Sequence, residues 1–164
     1  MIPSDHFVRF YNEVFKFLDE NNGLEKYYQH ISKHQELHCL ELFSSKGLQG
    51  VYEYYQKIYK EENCQGKVEL NGHELLLLME RCPSLSKAID NDAGVCMKYC
   101  LHCPGWTIPI YTKAGLYQVY DTMGLEKAEC CEWIYDVKEL AVEKYRELIK
   151  TRPAENIIIN FEVE

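Results

Sequence analysis

The richest chemistry in the sequence lies between residues 96 and 103, where three thiols and one imidazole fall within eight residues. They are Cys96, Cys100, His102 and Cys103, and Pro104 follows directly. Thiols and imidazoles bind zinc, and a thiol beside a histidine can act as a nucleophile. Five further cysteines bring the total to eight. The segment therefore predicts a functional site whose chemistry depends on the other residues that reach it.

The spacing of the three thiols fits one face of a helix. If Asp92 caps a short helix that runs to Pro104, then Cys96, Cys100 and Cys103 stand at positions i, i+4 and i+7. Free cysteine is among the most buried residue types, so simple packing of this face is the strongest rival to any functional interpretation.

Zinc binding is the first functional alternative. The pair Cys100-x-x-Cys103 has the separation of two thiolates that chelate zinc, and Cys96 and Cys130 supply the other two ligands of the predicted metal set. Neighbours on a strand point to opposite faces, so only one of the adjacent cysteines at positions 130 and 131 can face the site. The other residues that could complete four ligands are Cys82, His102 and Cys131.

The same three thiols have the Cys-x3-Cys-x2-Cys spacing with which radical S-adenosylmethionine enzymes hold a 4Fe-4S cluster. Those enzymes carry the motif in a loop after the first strand of a large α/β barrel. Here it lies past the midpoint of a 164-residue chain, which leaves too little sequence for such a barrel. The context therefore disfavours an iron-sulfur cluster.

A catalytic cysteine is the remaining alternative. Cys100 lies close to His102, which can act as its base. Cys82 directly precedes Pro83-Ser84, where a helix can begin, and the positive end of a helix lowers the pKa of a nearby thiol. Cys82 and Cys100 are therefore the candidate nucleophiles.

A carboxylate is also expected near these thiols. Glu129 and Glu132 lie in an otherwise apolar stretch that is predicted as a strand, so one of them is expected to be buried. Burial raises the pKa of a carboxyl group and allows it to act as an acid or a base near neutral pH. The candidate catalytic residues are Cys82, Cys100, His102 and Glu132.

Charge and composition limit the partners. Eighteen basic residues against twenty-six acidic ones give a net charge of -8 without any basic run, so nucleic acid is not expected to bind. The sequence has neither a basic-then-apolar N-terminal segment nor the roughly eighteen consecutive apolar residues of a membrane span, so a cytoplasmic protein without membrane contact is expected. Clustered cysteines in that compartment indicate metal binding or reactivity rather than disulfides. The expected partner is a small-molecule ligand, and the oligomeric state, a homo-oligomer included, stays open.

The first part of the chain, residues 1–63, is predicted to be helical. Apolar residues recur at helical spacing over residues 7–18, from residue 24 toward Gly47, and over residues 48–59. Residues 67–81 are predicted as a hairpin around Asn71-Gly72, which favours a type I′ turn with two positive φ angles. A buried helix over residues 75–79 is the alternative.

The second part, residues 64–164, is predicted to mix strands and helices and to carry the cysteine site. Residues 107–111 are expected to be extended, residues 116–123 to form a short helix, and residues 128–135 to form a strand. Asp136 and Glu139 have the spacing of a capping box for a helix that ends before Pro153, and residues 157–163 alternate as a half-buried strand does. Helices followed by mixed strands and helices, without βαβ alternation, predict a single α+β domain on an antiparallel sheet.

The order of these features over residues 67–136 resembles a known family. Cys82-Pro83 follows a strand, the thiol cluster comes next, then Lys113-Ala114-Gly115-Leu116, and finally Cys130-Cys131-Glu132-Trp133 on a closing strand. This layout is similar to that of bacterial L-2-amino-thiazoline-4-carboxylic acid hydrolase-like proteins and, more distantly, of 4-vinyl reductase-type small-molecule binding domains.

The resemblance implies an α+β fold with N-terminal helices and a sheet that carries a pocket. It also implies that Cys82, Cys100, His102 and Cys130 gather near that pocket, and that the reaction opens a thiazoline ring by adding water or a thiolate to the carbon between nitrogen and sulfur. The predicted function is thus a small-molecule domain with a Cys/His site, a hydrolase of a small cyclic carbon-nitrogen compound. The alternative is a ligand-binding or sensing domain in which the thiols hold structural zinc.

Overall fold

A computed structural model describes residues 3–90 and 94–163. Its helices are α1 Pro3–Glu20, α2 Leu24–Lys46, α3 Leu48–Glu61, α4 Pro83–Ile89, α5 His102–Ala114 and α6 Lys138–Leu148. Its strands are β1 Gln65–Asn71, β2 Glu74–Arg81, β3 Tyr117–Asp121, β4 Cys130–Tyr135 and β5 Ile157–Ile159. Short 3₁₀ turns lie at Tyr99–Leu101 and Ala154–Asn156.

The five strands form one sheet in the order β1-β2-β4-β3-β5, and every neighbouring pair is antiparallel. N-terminal helices followed by such a sheet confirm the predicted α+β class. The register places Glu132 at the centre of the sheet, opposite Leu77 on β2 and Tyr120 on β3.

The two faces of the sheet are covered by different helices. On one face, Ile134 of β4 packs with Ile110 and Tyr111 of α5, in a core to which α2 and α3 also contribute. On the other face, Val119 and Tyr135 pack against Ala141 of α6. Because side chains alternate along a strand, Cys130 and Glu132 point with Ile134 toward α5, whereas Cys131 points toward α6. The prediction that only one of the two adjacent cysteines faces the site therefore holds.

The N-terminal helices and the hairpin lie where the sequence predicts them, but the turn of the hairpin differs. Gly72 has a φ of +60°, whereas Asn71 is not among the residues with positive φ. The two residues between β1 and β2 are Gly72 and His73, and glycine at the first position is typical of a type II′ turn rather than type I′.

The predictions for residues 107–111 and 116–123 are wrong. The segment predicted to be extended is helical, and most of the segment predicted to be helical is a strand. Residues 107–111 lie within α5, where Thr107, Ile110 and Tyr111 are buried at helical spacing. Residues 117–121 form β3, which lies between α5 and α6 and has four consecutive buried residues. A strand covered on both faces loses its two-residue alternation, so its pattern can imitate a helix.

The prediction of one helix that runs from residue 92 to residue 104 is also wrong. Its proposed cap, Asp92, lies outside the described residues; Cys96 lies in irregular chain, Cys100 in the 3₁₀ turn, and Cys103 in the first turn of α5. The three thiols therefore do not share one helical face at i, i+4 and i+7. Pro104 lies in the first turn of a helix, a position that proline tolerates, and does not end one.

The start of α6 and the length of the last strand also differ from the prediction. The helix after Asp136 exists as α6, but its N-cap residue is Val137, and the Asp136 carboxylate instead accepts a hydrogen bond from His73 Nδ1 at 2.9 Å. The last strand covers only residues 157–159 of the predicted 157–163. Over the described residues, none of the helices is both long enough and apolar enough to cross a membrane.

Candidate functional site

A cysteine-histidine pair occupies the first turn of α5. Cys103 Sγ lies 3.3 Å from His102 Nε2, and His102 Nδ1 lies 2.7 Å from the backbone oxygen of Tyr99. A carbonyl oxygen only accepts hydrogen bonds, so Nδ1 of the neutral ring carries the hydrogen. Nε2 is then free to accept the Cys103 proton. The arrangement is that of a nucleophile, a base and a group that orients the base.

Burial keeps both members of the pair neutral in the resting protein. It lowers the pKa of His102, against the effect of the hydrogen bond to the Tyr99 backbone. Burial and, to a smaller extent, the nearby Glu132 carboxylate raise the pKa of Cys103 to about 12, against the effect of a hydrogen bond from Tyr120. A resting thiol must therefore pass its proton to the imidazole before or during attack, because the thiolate is the nucleophile.

Three more thiols surround Cys103. Cys103 and Cys82 lie near enough to Cys100 to raise its pKa electrostatically. The same two residues also raise the pKa of Cys130. Tyr120 makes hydrogen bonds with both Cys103 and Cys130. Cysteines from three separate segments of the chain therefore lie within electrostatic range of Cys103.

Cys82 directly follows β2 and is the N-cap residue of α4. Its sulfur accepts a hydrogen bond from the Leu85 N–H at 3.3 Å, as expected of a residue at a helix N-terminus. Burial nevertheless raises its pKa, and the backbone hydrogen bonds only partly oppose that effect. Ser84 lies inside α4, and its hydroxyl is 2.6 Å from that of Tyr99.

Glu132 lies in the interior of the sheet, with 6% of its surface exposed. Burial raises the pKa of its carboxyl to about 8, although hydrogen bonds from Gln118 and Tyr111 act in the opposite direction. Gln118 Nε2 donates to Glu132 at 2.5 Å and also lies 3.0 Å from the Thr107 hydroxyl. Glu132 therefore holds a proton at neutral pH and can release it nearby.

An aromatic cavity of about 310 Å³ opens beside His102. Its aromatic walls are Tyr11, Phe15, Tyr27, Tyr28, Tyr99 and Trp106, and Ile31, Gln35 and Ser84 complete the lining with His102. Phe15 holds this wall together, because its ring centroid lies 5.5 Å from that of Tyr99 and 5.7 Å from that of His102. We name this space the aromatic cavity; the imidazole that contacts Cys103 is part of its lining.

A second cavity, of about 440 Å³, reaches Cys100 from the other side. It is bounded by Leu101, by the loop from Thr122 to Lys127 and by Asn156. Cys100 is therefore accessible separately from His102, and burial raises its pKa to about 12.

The predicted zinc ligands are placed unevenly. Cys96 is buried among Phe15, Tyr28 and Tyr99, and its backbone N–H donates to Asn12 at 2.8 Å. Within residues 3–90 and 94–163, no three histidine, cysteine, aspartate or glutamate side chains are grouped closely enough to hold a metal ion. All eight cysteines are free. Zinc stays a prediction, and the described residues do not form a four-cysteine site.

Sequence reasoning missed several residues of this site. The sequence predicts Cys103 as a metal ligand and places Gln118 and Tyr120 in a helix, whereas both residues lie on β3. A signal for them is present: Gln118 and Tyr120 are polar residues two positions apart in an apolar run, which places both on one face of a strand.

Comparison with known proteins adds no relative. No family model matches the chain, and neither a curated protein nor a solved structure matches it. The functional argument therefore depends on the geometry of the chain itself.

Proposed function

We propose that this protein is a cytoplasmic small-molecule hydrolase that opens a small cyclic carbon-nitrogen compound of the thiazoline type. The observation that supports this proposal best is the 3.3 Å contact between Cys103 Sγ and Nε2 of His102, a residue that lines the aromatic cavity. A nucleophile paired with an oriented base is the arrangement needed for acyl-type transfer.

In the proposed reaction, Cys103 adds to the ring carbon between nitrogen and sulfur as its proton passes to His102. The electron pair of the carbon-nitrogen double bond moves to the ring nitrogen, which takes the proton from His102. Water then forms a bond from its oxygen to that carbon as the bond to the Cys103 sulfur breaks, and one water proton returns to Cys103. The hydroxyl oxygen next forms a carbonyl double bond, while the ring carbon-sulfur bond breaks with its electron pair on sulfur, which takes the hydroxyl proton. The product is an open-chain amide with a free thiol and contains the elements of one added water.

The surrounding groups have supporting roles in this scheme. Tyr120 stabilises negative charge on the Cys103 sulfur through its hydrogen bond. Glu132 stays protonated below about pH 8 and supplies or takes up a proton as the intermediate forms and decays. The sequence prediction of His102 as base and Glu132 as supporting carboxylate is kept, and the role of nucleophile moves from Cys82 or Cys100 to Cys103.

Replacing Cys103 with alanine is expected to abolish ring opening. With 2-methyl-2-thiazoline as the probe, product formation can be followed by mass spectrometry as the gain of one water. Loss of the nucleophile should lower kcat at least roughly 10³-fold, and His102→Gln about 10²-fold or more.

The matched control is Cys131→Ala, because Cys131 is a buried cysteine on the same strand as Cys130 but points toward α6. We expect this variant to keep kcat within about twofold of the wild type, since it removes no group near the reacting atoms. Equal activity of Cys103→Ala and Cys131→Ala would rule out Cys103 as the nucleophile.

A ligand-binding or sensing domain with zinc on its thiols is the second candidate, favoured by the placement of Cys82, Cys100 and Cys130 within electrostatic range of Cys103. Element analysis of protein purified under reducing conditions separates the two functions. The hydrolase proposal expects less than about 0.1 zinc per chain and no loss of activity on treatment with a chelator. One zinc per chain, with unfolding on chelation, would favour the structural-zinc function instead.

A further inference from the structure

Tyr28 of α2 carries a hydroxyl group without a hydrogen-bond partner. Its side chain is only 8% exposed, and its oxygen is the one buried side-chain nitrogen or oxygen atom in the described part of the chain that lacks a partner. A buried polar group left unpaired weakens the folded state, so native proteins rarely keep one without a use. The hydroxyl therefore calls for a functional explanation.

The ring of Tyr28 cannot easily turn away to find a partner. A Cβ atom added at Gly105 would lie 2.6 Å from Tyr28 Cγ, so the ring is packed directly against the backbone of α5. On its other sides, the rings of Phe15 and Tyr27 have their centroids 6.1 and 6.0 Å away. Only glycine at position 105 permits this packing, which fixes the direction of the hydroxyl group.

Tyr28 lines the aromatic cavity and also a separate apolar groove of about 350 Å³. Burial, followed by the nearby thiols of Cys96 and Cys103, raises the pKa of the phenol, so the group stays a neutral O–H donor. The donor is thus close to the proposed nucleophile.

The lining of the aromatic cavity also limits the charge of the ligand. None of its described lining residues is a lysine, an arginine or a carboxylate, and burial keeps His102 neutral. A carboxylate bound there would lose its hydration without gaining a cation, which is strongly unfavourable.

We infer that the Tyr28 hydroxyl donates a hydrogen bond to an uncharged acceptor, a carbonyl oxygen or ring nitrogen, of a flat neutral molecule held in the aromatic cavity. This inference rests on the proposed function for the identity of the site and narrows its substrate class to uncharged rings. It makes Tyr28 a binding residue, while the absence of a cation from the cavity lining disfavours anionic compounds.

The test compares Tyr28→Phe with Tyr99→Phe, a matched change in a hydroxyl group that does have a partner, Ser84 at 2.6 Å. Tyr28→Phe should leave the melting temperature unchanged or raise it, whereas Tyr99→Phe should lower it by roughly 2–4 °C. If the Tyr28 hydroxyl made a structural hydrogen bond, as that of Tyr99 does, both substitutions would lower the melting temperature.

Ligand binding is measured by NMR in the Cys103→Ala background, where turnover cannot consume the probe. The Kd of 2-methyl-2-thiazoline should rise about 3- to 10-fold on Tyr28→Phe. Its 4-carboxylate derivative should bind at least about 10-fold more weakly than the uncharged probe.

Three results would overturn the inference: a fall in melting temperature for Tyr28→Phe equal to that for Tyr99→Phe, an unchanged Kd, or equal or tighter binding of the carboxylate. Failure of the uncharged probe to bind at millimolar concentration would also overturn it. If wild-type protein binds the probe as expected but never opens its ring, the proposed hydrolase function fails while the role of Tyr28 stands.

Discussion

Replacing Glu132 with glutamine should make the folded protein more stable at pH 8 and above, and should change its stability little near pH 4. The carboxyl group is buried in the sheet, and burial raises its pKa from 4.5 to about 8. Glutamine has nearly the same shape and keeps an oxygen that can accept the hydrogen bond from Gln118 Nε2. The substitution therefore removes the titration and little else.

The direction of the effect follows from proton binding. Between pH 4.5 and about 8 the folded protein holds a proton on Glu132 that the unfolded chain has released. The free energy of unfolding consequently falls as the pH rises through this range and becomes level above it. A shift of this size corresponds to a cost of up to about 5 kcal/mol at alkaline pH, which Glu132→Gln relieves.

Urea unfolding at pH 5, 7 and 9 measures this difference. Glu129→Gln is the control, because it neutralises a carboxyl group just before the same strand, at a partly exposed position. The gap between wild type and Glu132→Gln should widen with pH and at pH 9 should exceed the gap for Glu129→Gln. Parallel curves for the wild type and Glu132→Gln would show that Glu132 is already ionised in the folded protein at neutral pH.

The parts of the fold that the sequence predicts well are those with only one buried face or a strong local signal. The first three helices present periodic apolar residues, and the hairpin has Gly72 where a positive φ is required. Local patterns of this kind are visible without knowledge of the tertiary structure.

The exchange of helix and strand between residues 107 and 121 has a different cause. β3 is covered by α5 on one face and by α6 on the other, so burial does not alternate along it. Residues 107–111 contain β-branched side chains and Pro109, which favour extended chain locally, yet packing between α2 and the sheet makes them helical. In both segments the tertiary environment overrides local preference.

The site shows the same division between local and long-range information. The sequence identifies the segments that converge, because thiols, a histidine and a buried glutamate are chemically distinctive. The pairing of Cys103 with His102 depends on the 3₁₀ turn that brings the Tyr99 carbonyl to the imidazole, and nothing in the spacing of the cysteines predicts that turn.

Removing the guanidinium group of Arg152 should destabilise the protein by about 3 kcal/mol. Arg152 Nε and Nη2 donate to the two carboxylate oxygens of Asp121 at 2.9 and 3.3 Å, and the side chain of Asp121 is only 3% exposed. Without the guanidinium, a buried carboxylate would retain only the N–H of Met123, 2.8 Å away, as its recorded donor in the described structure. An uncompensated buried charge is far more costly than the loss of an exposed ion pair.

A double-mutant cycle separates this cost from ordinary loss of packing. Asp121→Asn removes the charge, so in the Arg152→Ala background it should restore part of the lost stability, measured by urea unfolding. The control is Lys46→Ala, which breaks the exposed pair with Glu53 and should cost no more than about 1 kcal/mol. Because β3 carries Gln118 and Tyr120, its attachment through Asp121 also supports the candidate site. If Arg152→Ala costs no more than Lys46→Ala, the Asp121 carboxylate must be hydrated in solution and the pair does not hold β3 in place.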